Sequence, residues 1–342
     1  MDLIYMNTDM EDVGVLQSFE LDMAYGENEN NFELNLSSNQ HCCEAGYFIY
    51  VDGTEYGGIV DEIKSDNGND EITYSGRTWH GILGSKVVVP LLSGEGSSMG
   101  VTVKQTDNQG NSLVDRYLII SGYVNDCIKF MLTRCGMNSL FVVSDEPVSA
   151  YINEYQFYRY TDLYSGLVRM LASQNLKMKI SFFEGKCRIS CASKTENNGK
   201  DEFSSDNIDF VISKKYKTVN HLLCLGSGEL EERLVLHLYA DANGNISESQ
   251  TLFGLNEHTK TYEYPSESLE ELAKAGTEEL KRLLESVSLN VDCDESTDIF
   301  DVGDTITASD IVTGIDVQST IIKKIVSIKD GLTEIQYKVG DK

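Results

Sequence analysis

The chain has 342 residues, a net charge of −27, an apolar fraction of 41% and only three prolines. That length accommodates two or three domains with enough apolar material for packed cores. A surface this acidic repels nucleic-acid phosphates and anionic membranes, so it argues against a nucleic-acid or membrane-surface binder and also favours solubility. Met1-Asp2-Leu3-Ile4-Tyr5 has neither the basic region nor the apolar run of a signal peptide, and no uncharged run of ~18 apolar residues predicts a transmembrane helix. The eight cysteines are therefore expected as reduced thiols of a protein made in a cytoplasm.

Eighteen tyrosines and 28 glycines favour strands and turns over helices. Residues 15–90 read as a β-meander. Phe19, Leu21 and Met23 alternate with Glu20 and Asp22; Phe32, Leu34 and Leu36 alternate with Glu33 and Asn35. Period two places each apolar set on one face of a sheet. Tyr47 to Val51 turns at Asp52-Gly53, a hairpin signal, into Tyr56 to Ile63; a turn at Asn67-Gly68 leads to Glu71 to Ser75. So many short strands with tight turns predict a closed or nearly closed barrel. Trp79, at the end of this meander, is expected in a core or an interface.

Residues 93–112 are rich in Gly, Ser, Asn and Gln and read as an exposed loop. Helical spacing follows at Val124, Cys127, Ile128, Met131, Leu132 and Cys135, with Gly136 as a stop. Thr161-Asp162 can cap a second helix carrying Leu163, Leu167, Met170 and Leu171. Lys177 to Phe183 and Lys186 to Ala192 form a hairpin around Glu184-Gly185. The polar stretch Lys194 to Asn207 marks a boundary. Beyond it lies a hairpin, Leu222 to Leu225 and Leu234 to Tyr239, turning at Gly226-Ser227-Gly228, with Glu229 and Arg233 placed to pair beside the turn. Ser268-Leu269-Glu270-Glu271 is a capping box opening a helix with the stripe Leu269, Leu272, Leu280, Leu283 and Val287. A last meander, 298–342, turns at Val302-Gly303-Asp304, Thr313-Gly314 and Asp330-Gly331. The fold class is thus mainly β with an α+β middle section. Domains are expected at 1–90, 91–205 and 206–342, the first and last as related barrels.

Catalytic patterns are sparse. His41-Cys42-Cys43 is a metal-ligand set by residue type, but its members are too close together for tetrahedral zinc unaided. Cys187 and Cys191 share one side of a strand and read as core or surface thiols. Gly94-x-Gly96 and Gly226-x-Gly228 lack the helix and lysine of a phosphate loop. Glu231-Glu232 and Glu270-Glu271 read as surface charge. Lys214-Lys215 with Lys217, and Lys323-Lys324, read as solvated positions on strands. The aromatic segment Tyr151, Tyr155, Phe157, Tyr158 and Tyr160 reads as strand and helix-entry packing, with a partner-binding surface as the alternative.

Three patches together resemble the tail-tip hub proteins of long-tailed phages and prophages, a family related to contractile-tail baseplate hubs. The first is Gly58-Ile59-Val60-Asp61 with Ile72 to Leu83, including Ser75-Gly76-Arg77; Lys86 stands where the family usually has an arginine. The second is Asn220 to Gly244, with Gly226, Gly228, Glu229, Arg233, Asp241 and Gly244. The third is Val302-Gly303-Asp304, Ile321 to Ile328, Asp330-Gly331 and Ile335 to Gly340. The resemblance implies two tail-tube-like barrels per subunit and a homotrimer whose six barrels adapt a six-fold tube to a three-fold tip. It implies a structural virion protein of the tail tip, synthesised in the host bacterial cytoplasm, with no cofactor, metal, catalytic residue or membrane anchor. Its partners would be the distal tail protein, the tail tube and the tape-measure protein. DNA would pass through an acidic lumen without stable binding. Ending just after the last predicted strand, the chain is expected to be the bare hub. A tail-associated peptidase or cell-wall hydrolase, or a carbohydrate-binding adhesion module, are the alternatives.

Overall fold

The computed structural model describes the chain except residues 27–28, 195–202, 205–208, 215–218, 267, 285–286, 295–299, 311–314, 330 and 341–342. The expected boundary at 194–207, the turn at Thr313-Gly314, Asp330 of the last turn, and Lys215 and Lys217 of one basic patch fall wholly or partly outside the described residues.

In chain order the first strands are β1 (Leu3–Met6), β2 (Asp12–Leu16), β3 (Glu20–Gly26), β4 (Asn31–Ser37), β5 (Phe48–Tyr50), β6 (Gly57–Asp66) and β7 (Glu71–Thr78), followed by helix α1 (Trp79–Gly84). The middle section holds β8 (Thr102–Val103), β9 (Leu118–Tyr123), α2 (Val124–Arg134), β10 (Phe141–Val143), β11 (Tyr151–Phe157), α3 (Leu163–Ala172), β12 (Leu176–Phe183) and β13 (Lys186–Ser193). Then come β14 (Phe203–Ser204), β15 (Asp209–Lys214), β16 (His221–Leu225), β17 (Val235–Ala240), β18 (Ile246–Ser247), β19 (Thr259–Glu263) and α4 (Leu269–Leu284). The chain closes with β20 (Val287–Asp294), β21 (Thr305–Asp310), β22 (Ile315–Lys329) and β23 (Leu332–Gly340). The protein is mainly β with an α+β middle section.

Two compact units emerge. One comprises Met1–Phe210, Asn290–Ala308 and Gln318–Val339; the other comprises Val211–Leu289, Ser309–Val317 and Gly340–Lys342. The C-terminal third is thus shared between the units.

In the first unit the largest sheet runs β20-β23-β22-β3-β4-β7-β6-β5-β1-β2. The first and last meanders meet in one sheet, at β3 and β22, and among the described strands no closed barrel is seen. Register explains the junction. Val326 lies opposite Met23 and Ile328 opposite Leu21, so apolar parity is continuous across the seam. Leu21, Met23, Leu34, Tyr74, Val326 and Ile328 are all buried on this face. The opposite face carries Asp22, Glu33, Ser75 and Glu62 in one paired row, with Ser327 beyond Asp22.

The α+β section shares one core with Met6, Tyr50 and α1 of the N-terminal part. α2 buries Val124, Cys127, Ile128, Met131 and Leu132, as its 3.6-residue spacing demands. α3 begins where Asp162 accepts a hydrogen bond from the Ser165 N–H at 2.8 Å. Trp79 is fully buried, its ring stacked 4.8 Å from Phe182. The helix that Trp79 opens was not expected; Thr78 caps it by accepting from the Gly81 N–H at 3.4 Å. Of the aromatic segment only Phe157 is buried and Tyr155 half-buried, while Tyr151, Tyr158 and Tyr160 are exposed. The packing expectation therefore holds for β11's inward side only.

The second unit is a sheet in the order β18-β17-β16-β19 covered by α4. Leu222, Cys224 and Leu238 meet Leu272 and Leu280 of the helix. The stripe expectation needs two corrections: Leu269 is 52% exposed, and Val287 belongs to strand β20. The capping box is also indirect. Ser268 Oγ accepts from the Glu271 N–H at 3.4 Å, but the Glu271 carboxylate accepts from Ser266 Oγ at 3.0 Å.

Candidate functional site

Gly76 and Arg77 sit on β7 opposite a bulge in β6 between Val60 and Glu62. A Cβ on Gly76 would lie 1.9 Å from the Ile59 carbonyl oxygen, so the strands can approach only over glycine. The bulge aims Asp61 at Arg77. Arg77 Nε donates to Asp61 Oδ2 and Nη2 to Oδ1, each at 2.7 Å, and the Arg77 backbone N–H donates to Oδ2 at 3.1 Å. The Arg77 hydrogen bonds hold the Asp61 carboxyl below its ordinary range, against some desolvation.

Gly303 and Asp304 form a second motif. Gly303 N–H donates to the Ile321 carbonyl and Ile321 N–H to the Asp304 carbonyl, both at 2.8 Å, which fixes the turn onto β22. Asp304 is fully buried. Lys177 Nζ, on β12, reaches Asp304 Oδ2 at 2.5 Å and Asp301 Oδ2 at 2.7 Å. Beside them Lys324 Nζ pairs with Glu55 Oε1 at 2.9 Å, and His80 Nε2 lies 3.8 Å from Glu55 Oε2. Lys177, Asp301, Lys324, Glu55 and His80, with Tyr25, Tyr164 and Gly303, line a cavity of ≈ 30 Å³. Burial pushes the Asp301 carboxyl up, but hydrogen bonding and charge from Lys177 outweigh it and hold the group low. Burial would lower Lys177, and its bonds to Asp301 and Asp304 raise it instead. His80 is pushed down to about 3, first by burial and then by the Lys324 charge, so it is neutral here.

The sequence reading missed this cluster and placed Lys323-Lys324 in solvent. Lys324 is 2% exposed. The signal was parity: Lys324 shares the inward phase of Val326 and Ile328, so it must carry its charge inside and requires a buried acid. Lys323, on the outward phase, pairs with Glu29.

The hairpin of the third motif forms as expected, β16 pairing β17 antiparallel with His221 opposite Tyr239 and Leu225 opposite Val235. Gly226 ends the first strand, its N–H donating to the Leu234 carbonyl at 2.8 Å. Gly228 has φ +106°, and a Cβ there would stand 2.5 Å from the Glu232 carbonyl oxygen. Arg233 does not take Glu229 as partner. Its Nε donates to the Gly226 carbonyl at 3.2 Å, and its Nη2 lies 3.4 Å from Glu263 Oε1 on β19. A short 3₁₀ turn at Leu230–Glu232 intervenes and directs Arg233 across the sheet.

On the sheet face away from α4 a row of polar groups crosses three segments. His221 Nδ1 lies 2.7 Å from Glu257 Oε1, His221 Nε2 lies 2.9 Å from His237 Nδ1, and the Tyr239 hydroxyl is 3.3 Å from that same nitrogen. Helical spacing rules cannot reveal this row, because its members meet across strands. Among the described residues no three His, Cys, Asp or Glu side chains converge as metal ligands.

No protein-family model and no curated protein matches the sequence. Solved structures do match. The 43 kDa tail protein of prophage MuSo2 from Shewanella oneidensis aligns over 99% of this chain and 96% of its own, at 13% identity and a TM-score of 0.54. The chain has a phage tail-protein fold. A tail protein from Neisseria meningitidis MC58 aligns over 98% and 96%, at 13% identity and TM-score 0.49. Prophage tail protein gp18 from Listeria monocytogenes EGD-e aligns over 99% and 94%, at 12% identity and TM-score 0.45. The Gly76-Arg77, Gly303-Asp304 and Gly226–Arg233 motifs thus lie within a tail-protein fold that spans nearly the whole chain.

Proposed function

We propose that the chain is a structural, non-enzymatic subunit of a phage or prophage tail, acting as the hub of a tail tip or baseplate. The observation that carries this is the end-to-end correspondence with the MuSo2 tail protein, over 99% of one chain and 96% of the other. In this reading the subunit forms a homotrimer, contacts the distal tail protein, the tube and the tape-measure protein, and lines a channel for DNA. The motifs are scaffolding: Gly76 and Arg77 hold a bulged strand pair, Gly303 and Asp304 anchor the last meander, and Gly226, Gly228 and Arg233 shape the hairpin, with Glu229 at its exposed turn. The outward sheet face, with Asp22, Glu33 and Glu62 in one row, is the surface offered to the lumen, where acidic groups keep DNA from adhering.

Light scattering on the purified protein tests this, followed by imaging of particles. A mass three times the 38.1 kDa chain, with ring-shaped particles, is the expected result. A monomer that stays monomeric in the presence of its tail neighbours would overturn the hub reading. Hydrolysis of cell-wall material by the purified protein would overturn the non-enzymatic one.

A further inference from the structure

Cys42 and Cys43 are adjacent in the chain and in space, with their Sγ atoms 3.5 Å apart. The pair is held by β7. The Tyr74 hydroxyl accepts from the Cys42 backbone N–H at 3.0 Å and lies 2.7 Å from His41 Nδ1. Tyr74 itself is fully buried in the sheet core, so this clamp is anchored. The two thiols differ in setting: Cys43 is fully buried and Cys42 is half-buried.

We propose that Cys42 and Cys43 form a vicinal dithiol–disulfide couple, oxidised by small-molecule disulfides of the glutathione class. Cys42 is the attacking sulfur. The Cys43 S–H hydrogen bond favours the Cys42 thiolate, and the same contact with burial disfavours ionisation of Cys43. The Cys42 thiolate attacks one sulfur of RSSR, forming Cys42–S–S–R and releasing RS⁻, which takes a proton. Cys43 then loses its proton and attacks Cys42 Sγ, forming the Cys42–Cys43 bond and releasing the second RS⁻. The protein loses two electrons and two protons, and one RSSR becomes two RSH.

Geometry also sets how easily the bond is reversed. Adjacent Cα atoms are ~3.8 Å apart, short of the ~4.4–6.8 Å that unstrained disulfides span. A strained disulfide is readily reduced, so the couple responds to ambient redox poise and does not serve as a permanent staple. Closing the ring also draws Cys42 toward Cys43 and loads the Tyr74 clamp.

The full chain is equilibrated in glutathione buffers from fully reduced to fully oxidised. It is quenched in acid, labelled with N-ethylmaleimide under denaturing conditions, and peptide-mapped by mass spectrometry. The expected result is an unlabelled Cys42–Cys43 peptide lighter by two hydrogens in oxidised buffer, restored by dithiothreitol. The Cys43→Ser variant should stop at a glutathione adduct on Cys42. Overturning results are two maleimide labels at every poise, a wild-type chain that stops at the adduct, linkage of either residue to another cysteine, or no adduct in the variant.

Discussion

Arg77 holds Asp61 in a two-pronged ion pair across a β-bulge, and Gly76 beside it is what lets the two strands come close enough. Contact and close approach are separable here, and they differ in weight.

Arg77→Ala should cost at most about 1 kcal/mol, because both partners are more than a third exposed and solvent screens the pair. Gly76→Ala should cost more, roughly 1–3 kcal/mol or above, since its Cβ would meet a backbone oxygen that cannot swing aside. Urea midpoints of the two variants check this. A larger loss in Arg77→Ala than in Gly76→Ala would reverse the assignment.

Removing Lys177 should be severe. Lys177→Met removes the buried cation that Asp301 and Asp304 share, leaving Asp301 the more exposed Lys179 at 3.3 Å, and breaking a buried ion pair on one side costs about 3–5 kcal/mol. Adding Asp304→Asn to that variant should recover part of the loss. Calorimetry of the single and double variants measures it, and strict additivity of two losses would contradict a shared cluster.

Acid should weaken the fold in two stages. His80 is neutral when folded and titrates only near about 3, while unfolded it binds its proton near 6.5. Between these values the unfolded chain holds more protons, so stability falls as pH drops through the window and is complete above it, with a span on the order of a few kcal/mol. Asp301 and Asp61 are also held low, so their contributions are present above the ordinary carboxylate range and vanish as pH falls through their folded values. Thermal midpoints from pH 8 to 3 should decline from the histidine range downward and steepen in the carboxylate range. His80→Gln should flatten the first stage and keep the second.

In the hairpin, Gly228→Ala should destabilise the second unit by roughly 1–3 kcal/mol through its positive φ and the nearby Glu232 oxygen. Arg233→Ala should change stability by no more than about 0.5 kcal/mol, because its Glu263 partner is largely exposed. Hydrogen exchange at β16 and β17 reads both: protection should fall in the glycine variant and stay near wild type in the arginine variant.

What could be read from the sequence follows the range of the interactions. Alternation at Phe32, Leu34 and Leu36 and spacing at Val124, Cys127 and Ile128 are local, and the structure buries those residues. Asp162 caps α3 as its residue type suggests. Strand partners are another matter. Period two says which face Val326 lies on, but not that Met23 lies opposite, so the single shared sheet was not legible. The buried cluster was half legible: the phase of Lys324 announces an inward charge, whereas its pairing with Glu55 joins residues 269 positions apart. Arg233 was assigned to Glu229 because pattern rules look to neighbours, and a 3₁₀ turn sends it to β19.

The seam between β3 and β22 governs how the protein can be made. Ser327 bonds Asp22 from 305 positions further along the chain. During synthesis β3 pairs with β4 early, while its other edge stays open until β22 has left the ribosome. Contacts that close so long a loop form slowly, and an open strand edge over that interval invites pairing with another nascent chain. Truncated products that stop before β22 would therefore expose the inward face and free edge of β3 together, and they should be found in the insoluble fraction, bound to chaperones or degraded.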